Sequence, residues 1–141
     1  MRTAVSRPTS LFGVVVLSIL SACATFRGAS ATPHMTGSYA AKLQVSGRST
    51  YVGTFSIAEW VSDSLRGSLR LVSPLAVDVV VGGRQIRDTL RLNGTYSAAN
   101  GCTGTFAAPL VVSTDLAAAT GPFTLVDKCA GTLTGQMELK R

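Results

Sequence analysis

Histidine occurs once, at position 34, in a run of small and polar residues, so the commonest general base of neutral-pH catalysis has no partner to work with. No serine, cysteine or threonine stands at a recognisable spacing from a base, so nucleophilic catalysis has no candidate and no enzymatic activity is expected. No group of histidines and cysteines offers a metal shell, and no glycine-rich loop opens a helix to hold phosphate, so no metal or other cofactor is expected either. Charged residues make up only 14% of the chain, and beyond Arg2 and Arg7 the eleven basic and seven acidic side chains are spread evenly along it. That balance is too diffuse for a nucleic-acid partner. Long apolar runs are missing as well. The longest, Leu11 to Leu20 (LFGVVVLSIL), is about ten residues, half of what a helix crossing a ~30 Å hydrocarbon core requires.

The start of the chain nevertheless has the anatomy of an export signal. A cationic stretch from Met1 to Arg7 leads into the apolar run, which ends in Ser21, Ala22 and Cys23. Leu20-Ser21-Ala22-Cys23 resembles the bacterial lipobox at all four positions. The resemblance implies cleavage between Ala22 and Cys23, diacylglycerol on the Cys23 thiol and, in most such proteins, acylation of the new amino terminus. Two or three acyl chains hold a protein on a membrane where one binds reversibly, because each buried methylene contributes about 0.8 kcal/mol. Residue 24 is alanine, not the aspartate that favours inner-membrane retention in enterobacterial lipoproteins. For a diderm source this implies the periplasmic face of the outer membrane. Cleavage after Ala31, at Ala29-Ser30-Ala31, would instead give a free secreted or periplasmic protein. The expected organisation is a lipoprotein signal peptide with a signal helix over 1–22, a lipidated flexible tether over 23–36 and one β-domain over 37–141.

Three cysteines in an exported chain leave one odd thiol unless one is modified. Lipidation of Cys23 leaves Cys102 and Cys129 as a pair in an oxidising compartment. They are equidistant from the Asp115-Leu116 junction, the centre of a polar loop, so they face each other at the open end of a single hairpin, as a disulfide requires.

From Gly37 onward apolar and polar residues alternate in short runs. Tyr39, Leu43 and Val45, then Tyr51, Phe55 and Ile57, then Leu65, Leu69 and Leu71, then Val77, Val79 and Val81 all sit on odd positions. Lys42, Gln44, Thr54, Ser56, Arg66, Ser68, Arg70 and Asp78 lie between them, the pattern of strands with one dry and one wet face. A two-residue turn at Gly82-Gly83 would set Val79 against Ile86 and Leu75 against Leu90, and would switch the dry face to even positions. Leu90, Leu92, Tyr96, Phe106 and Leu110 are indeed even, and Phe123, Leu125, Leu133, Met137 and Leu139 return to odd. Eight strands are expected near 37–46, 50–59, 64–72, 75–81, 84–97, 102–112, 120–129 and 131–140. A glycine two residues before an inward aromatic or leucine recurs in nearly every run, as in Gly53/Phe55 and Gly104/Phe106. Such glycines let a strand coil sharply enough to close a small barrel.

The expected fold is an all-β, eight-stranded antiparallel up-and-down barrel. It resembles lipocalin- and avidin-type barrels in architecture only, with an open β-sandwich as the alternative. A barrel of this size either fills itself with side chains or holds one small ligand. The two functions in contention are therefore a membrane-anchored module binding a small apolar or amphipathic molecule, and a filled barrel acting as a protein-interaction or structural envelope lipoprotein. Within the second class, Ser46-Gly47-Arg48-Ser49-Thr50-Tyr51 resembles the Ser-Gly-x-x-Tyr element of lipid-anchored lysozyme inhibitors with one residue too many. Their Trp-x-Lys-Gly element is absent.

The candidate ligand or partner contacts are few. Arg84, Asp88 and Asp127 land on the expected inner parity, where a charge must be paired, solvated at a rim or used on a polar ligand. Trp60, in Ala58-Glu59-Trp60-Val61-Ser62, is expected in a loop, as a plug for one barrel end or an anchor for a ligand. Tyr39, Tyr51 and Tyr96 are expected in the core with their hydroxyls reaching a barrel end.

Overall fold

Residues 33–141 are described by the computed structural model, so the lipobox, Cys23 and the first part of the expected tether lie outside the described residues. Eight strands follow one another: β1 (Ser38–Val45), β2 (Thr50–Val61), β3 (Ser64–Ser73), β4 (Val77–Ile86), β5 (Thr89–Ala98), β6 (Thr103–Val112), β7 (Ala118–Asp127) and β8 (Gly131–Lys140). Each pairs antiparallel with the next, and β8 pairs with β1, closing the barrel. No helix is present among the described residues.

The alternation of the sequence is the cause of closure. In β1, Tyr39, Ala41, Leu43 and Val45 are buried while Ser38, Ala40, Lys42 and Gln44 are exposed. The same segregation holds in β6, where Phe106, Ala108, Leu110 and Val112 turn inward. Each large apolar side chain taken fully inside contributes roughly 1.5 to 3 kcal/mol, so a one-residue slip of any strand would expose a whole row and is strongly disfavoured.

Two features move the register from that expected. Gly82 and Gly83 are not a turn but lie within β4, and the chain reverses at Arg87-Asp88, with Arg87 in the left-handed region at φ 57°. Val79 therefore pairs with Tyr96 rather than Ile86, and Leu90 pairs with Gln85 and Leu110 rather than with Leu75. Glycine at position 83 serves close packing: a Cβ there would lie 2.7 Å from the Arg91 carbonyl oxygen and 2.9 Å from a Leu92 methyl. Both turns have two residues, so the dry face switches to even numbers in either register, only later. Gln85 consequently points inward and is 3% exposed, whereas Arg84 and Ile86 point outward.

The second feature is a bulge. The β2–β3 register shifts between Ile57 and Glu59, leaving Ala58 without a partner. Beyond it the inward positions of β2 are even, so Trp60 pairs with Leu65 and packs against the core from a strand instead of a loop.

The β6–β7 ladder is also incomplete. Pairing runs from Gly104↔Asp127 to Ala107↔Thr124 and resumes at Val111↔Thr120 in the same register, which sets Pro109 opposite Pro122. The Lys128 amide donates to the Thr103 carbonyl at 2.9 Å. Counting two residues at a time from there, the proline pair falls where both residues should exchange hydrogen bonds. Neither proline has an N–H to give, so one complete ring of the wall is missing.

Candidate functional site

The two ends of the barrel differ in chemistry. One end, the base, gathers the β2–β3, β4–β5 and β6–β7 turns, and it is sealed by residues 33–36. Met35 is fully buried. The His34 ring stacks on Trp60 with centroids 4.1 Å apart, and the Trp60 Nε1–H donates to the Met35 carbonyl at 2.8 Å. Gln85 Nε2 donates to the carbonyls of Pro33 and Arg87, each at 3.1 Å. Arg141 donates to the Thr36 carbonyl and to the Tyr39 hydroxyl, and its guanidinium lies 4.9 Å from the centre of the Tyr39 ring. Tyr39 in turn donates to the Leu116 carbonyl at 2.9 Å. Residues 33–36, expected at the end of the tether, are thus part of the base, and Trp60 is the side chain that fastens them.

The opposite end, the mouth, is built from the β1–β2, β3–β4, β5–β6 and β7–β8 connections. Beneath it lies a cavity of about 240 Å³ with apolar walls that include Leu43, Leu69, Val79 and Phe106. Tyr51, Tyr96, Arg48, Asn100 and Asp127 are its polar lining. The disulfide Cys102–Cys129 joins β6 to β7 at this rim, with Cα atoms 5.8 Å apart, as expected from the position of the two cysteines in the hairpin.

Asp127 is held by three donors. Its Oδ1 accepts the amides of Cys129 (2.7 Å) and Ala130 (2.8 Å), and its Oδ2 accepts the hydroxyl of Tyr96. The Tyr96 hydrogen bond, then the two amides and the charge of Arg48, hold the carboxyl below its ordinary value, against a smaller opposing effect of burial. Burial, and then the hydrogen bond to Asp127 and its charge, push the Tyr96 phenol well above its ordinary value of 10.0. Gly104 stands directly across from Tyr96, and a Cβ there would come within 2.7 Å of the phenol oxygen, so only glycine leaves this ring its place.

The sign of the pH dependence follows. A depressed carboxyl stabilises the fold above its unfolded pKa and loses that contribution as pH falls through the folded value. A raised phenol stabilises the fold below about 10 and loses it as pH rises through the folded value. Tyr96→Phe is therefore expected to raise the Asp127 pKa toward the ordinary carboxylate range and to weaken the acid-side fall in stability, with a loss of about 1 kcal/mol at neutral pH. Carboxyl NMR titration and urea unfolding at several pH values check this.

The candidate residues distribute unevenly. Tyr51, Tyr96 and Asp127 come together at the mouth, and Tyr39 and Trp60 at the base. Arg84 and Asp88 are corrected: both are exposed, because the turn lies five residues later than expected and the inner parity has not yet switched at either. Arg84 pairs with Asp63 across the outer face at 2.8 Å, and Asp88 sits in the β4–β5 turn. Arg48 was missed, since Ser46-Gly47-Arg48 reads only as a turn. The signal that finds it is the hairpin itself, because the β1–β2 turn lies at the same end as the cysteine pair. The sulfurs of Cys102 and Cys129 and a carboxylate oxygen of Asp127 lie within 4.8 Å of one another, but the sulfurs are bonded together and offer no thiolate to a metal.

No protein-family model matches the chain, and no curated protein matches it. Among solved structures, EF1p2_mFAP2b bound to DFHBI superposes with a TM-score of 0.62 at 11% identity, over 76% of this chain and 93% of that one. The redesigned β barrel mFAP1 bound to DFHBI gives 0.53 at 13% identity, over 76% and 94% of the two chains. A fluorescence-activating β barrel designed de novo gives 0.52 at 11% identity, over 79% and 97%. The likeness is one of fold, and it places the chain among small, closed, eight-stranded antiparallel barrels.

Proposed function

We propose that the barrel binds a small apolar or amphipathic molecule in the cavity at its mouth, in an exported protein anchored to the cell envelope through lipidated Cys23. The cavity carries this reading: about 240 Å³ of space walled by apolar side chains under a polar rim. The fold it shares with barrels whose structures are bound to DFHBI supports a small-molecule-binding role. A binding role in place of catalysis agrees with the position of His34, which is stacked on Trp60 at the base, away from the cavity. The anchor rests on the lipobox resemblance of Leu20-Ser21-Ala22-Cys23. Residues 33–36 lie at the sealed base, the end of the barrel opposite the mouth.

Native mass spectrometry tests the reading, on a Cys23→Ser protein exported and gently purified from its own host. The expected result is a reproducible mass excess that is lost on denaturation and is absent from an Ala98→Phe variant, whose ring would fill the mouth. A bare mass in the unblocked protein would count against a ligand that survives purification.

A further inference from the structure

We infer that the ligand of the mouth cavity is an amphipathic monoanion, with a carboxylate-class head held by Arg48 at the rim and an apolar chain against Leu69, Val79 and Phe106. This rests on the binding reading above and adds the charge of the ligand.

The polar groups of the rim are unequally occupied. Asp127 spends Oδ1 on two backbone amides and Oδ2 on the Tyr96 hydroxyl, and Asn100 Oδ1 accepts the Cys102 amide at 3.0 Å. The carboxylate and amide oxygens of the lining are thus engaged with the protein's own donors. Among the described residues, the Arg48 guanidinium and the Tyr51 hydroxyl make no side-chain hydrogen bond, and Arg48 makes no ion pair. Arg66 is paired with Glu59, Arg70 with Asp78 and Arg84 with Asp63; Arg87 and Arg91 also make no ion pair among the described residues, but unlike Arg48 they do not line the cavity. The side-chain groups left free in the lining are therefore the Arg48 guanidinium with five N–H donors, the Asn100 side-chain NH2 and the Tyr51 phenol, a set richer in donors than in acceptors and so the complement of a carboxylate and a poor host for an ammonium. Lys128, in the β7–β8 turn, adds to Arg48 against the single charge of Asp127, so the rim is net positive.

The size of the cavity, about 240 Å³, suits one short alkyl chain with its head at the rim, and a longer chain would protrude from the mouth.

Three probes sharing a ten-carbon chain separate head from tail: decanoate, decanol and decyltrimethylammonium, each titrated calorimetrically below its micelle concentration. The native protein is expected to bind decanoate about tenfold more tightly than decanol, and the cation most weakly. Arg48→Gln, at an exposed turn position, should bring decanoate down to the level of decanol and leave decanol unchanged. Arg48→Lys should keep part of the preference. Decanol binding as tightly as decanoate, or a preference that survives Arg48→Gln, overturns the head-group assignment and leaves the cavity as a ligand site. Failure of all three to bind overturns the binding reading itself.

Discussion

A chain carrying Cys102→Ala and Cys129→Ala is expected to unfold about 3 to 4 kcal/mol more easily than the native protein, the entropy of a cross-link between residues 27 apart. For a domain of this size that is a fall in Tm of roughly 15 to 25 °C. The location of the bond argues for the upper part of the range. It ties β6 to β7, the one strand pair whose ladder is interrupted by opposed prolines, so the backbone there has least to fall back on. Asp127 lies two residues from Cys129 and accepts its amide, so the loss should reach the mouth as well and lower ligand occupancy. Urea unfolding of the oxidised, reduced and doubly substituted proteins measures the effect. A loss below about 1 kcal/mol would mean that side-chain packing alone holds the pair.

The second large effect is expected at the base. Trp60→Ala should cost about 3 kcal/mol, the lower end of what large-to-small aromatic changes cost, because the ring is only half-buried. Lost with it are the packing against Leu65, the stack with His34 and the hydrogen bond to Met35. Trp60→Phe keeps most of the area and gives up the N–H, so about 1 kcal/mol is expected for it. Once the fastening is gone, residues 33–36 should become a preferred site of limited proteolysis in the alanine variant and stay protected in the phenylalanine one. Equal protection in both would mean that the Gln85 and Arg141 hydrogen bonds suffice to hold the segment.

The alternation of apolar residues carried the eight strands, the closed meander and the disulfide, because side-chain direction in a strand has a fixed period and each hairpin constrains the next. What did not follow from alternation was anything that breaks the period. The bulge at Ala58 leaves no mark in composition, yet it brings Trp60 inward. Gly82-Gly83 has the chemistry of a turn and of close strand packing alike, and only the position of Leu65 and Leu92 against Gly83 decides between them. That choice displaced Arg84 and Asp88 from the inner face. Met35 was hidden for a different reason: a short segment crossing a barrel end is apolar at one position only and has no period to detect. Within the site, Tyr96 and Asp127 were legible from parity, whereas Arg48 stood in a turn where a charged residue carries no directional signal.

The two prolines facing each other across β6 and β7 leave the wall with a slit. On its mouth side the ladder resumes at Ala107↔Thr124 and is closed beyond by the disulfide; on its base side it resumes at Val111↔Thr120 and is closed by the Ser113–Asp115 turn, where Ser113 Oγ meets Asp115 at 2.6 Å and Asp115 accepts the Ala117 amide at 3.0 Å. A cut in a sheet runs when its tip can advance, one broken rung loading the next. Here the rungs on either side are each backed by bonds that do not belong to the ladder. The register on either side of the slit, next to the aromatic pair Phe106 and Phe123 whose rings lie 6.3 Å apart, is therefore fixed by more than the ladder itself. The barrel keeps its shape as a stitched buttonhole does, by reinforcing the ends of an opening and leaving its middle loose.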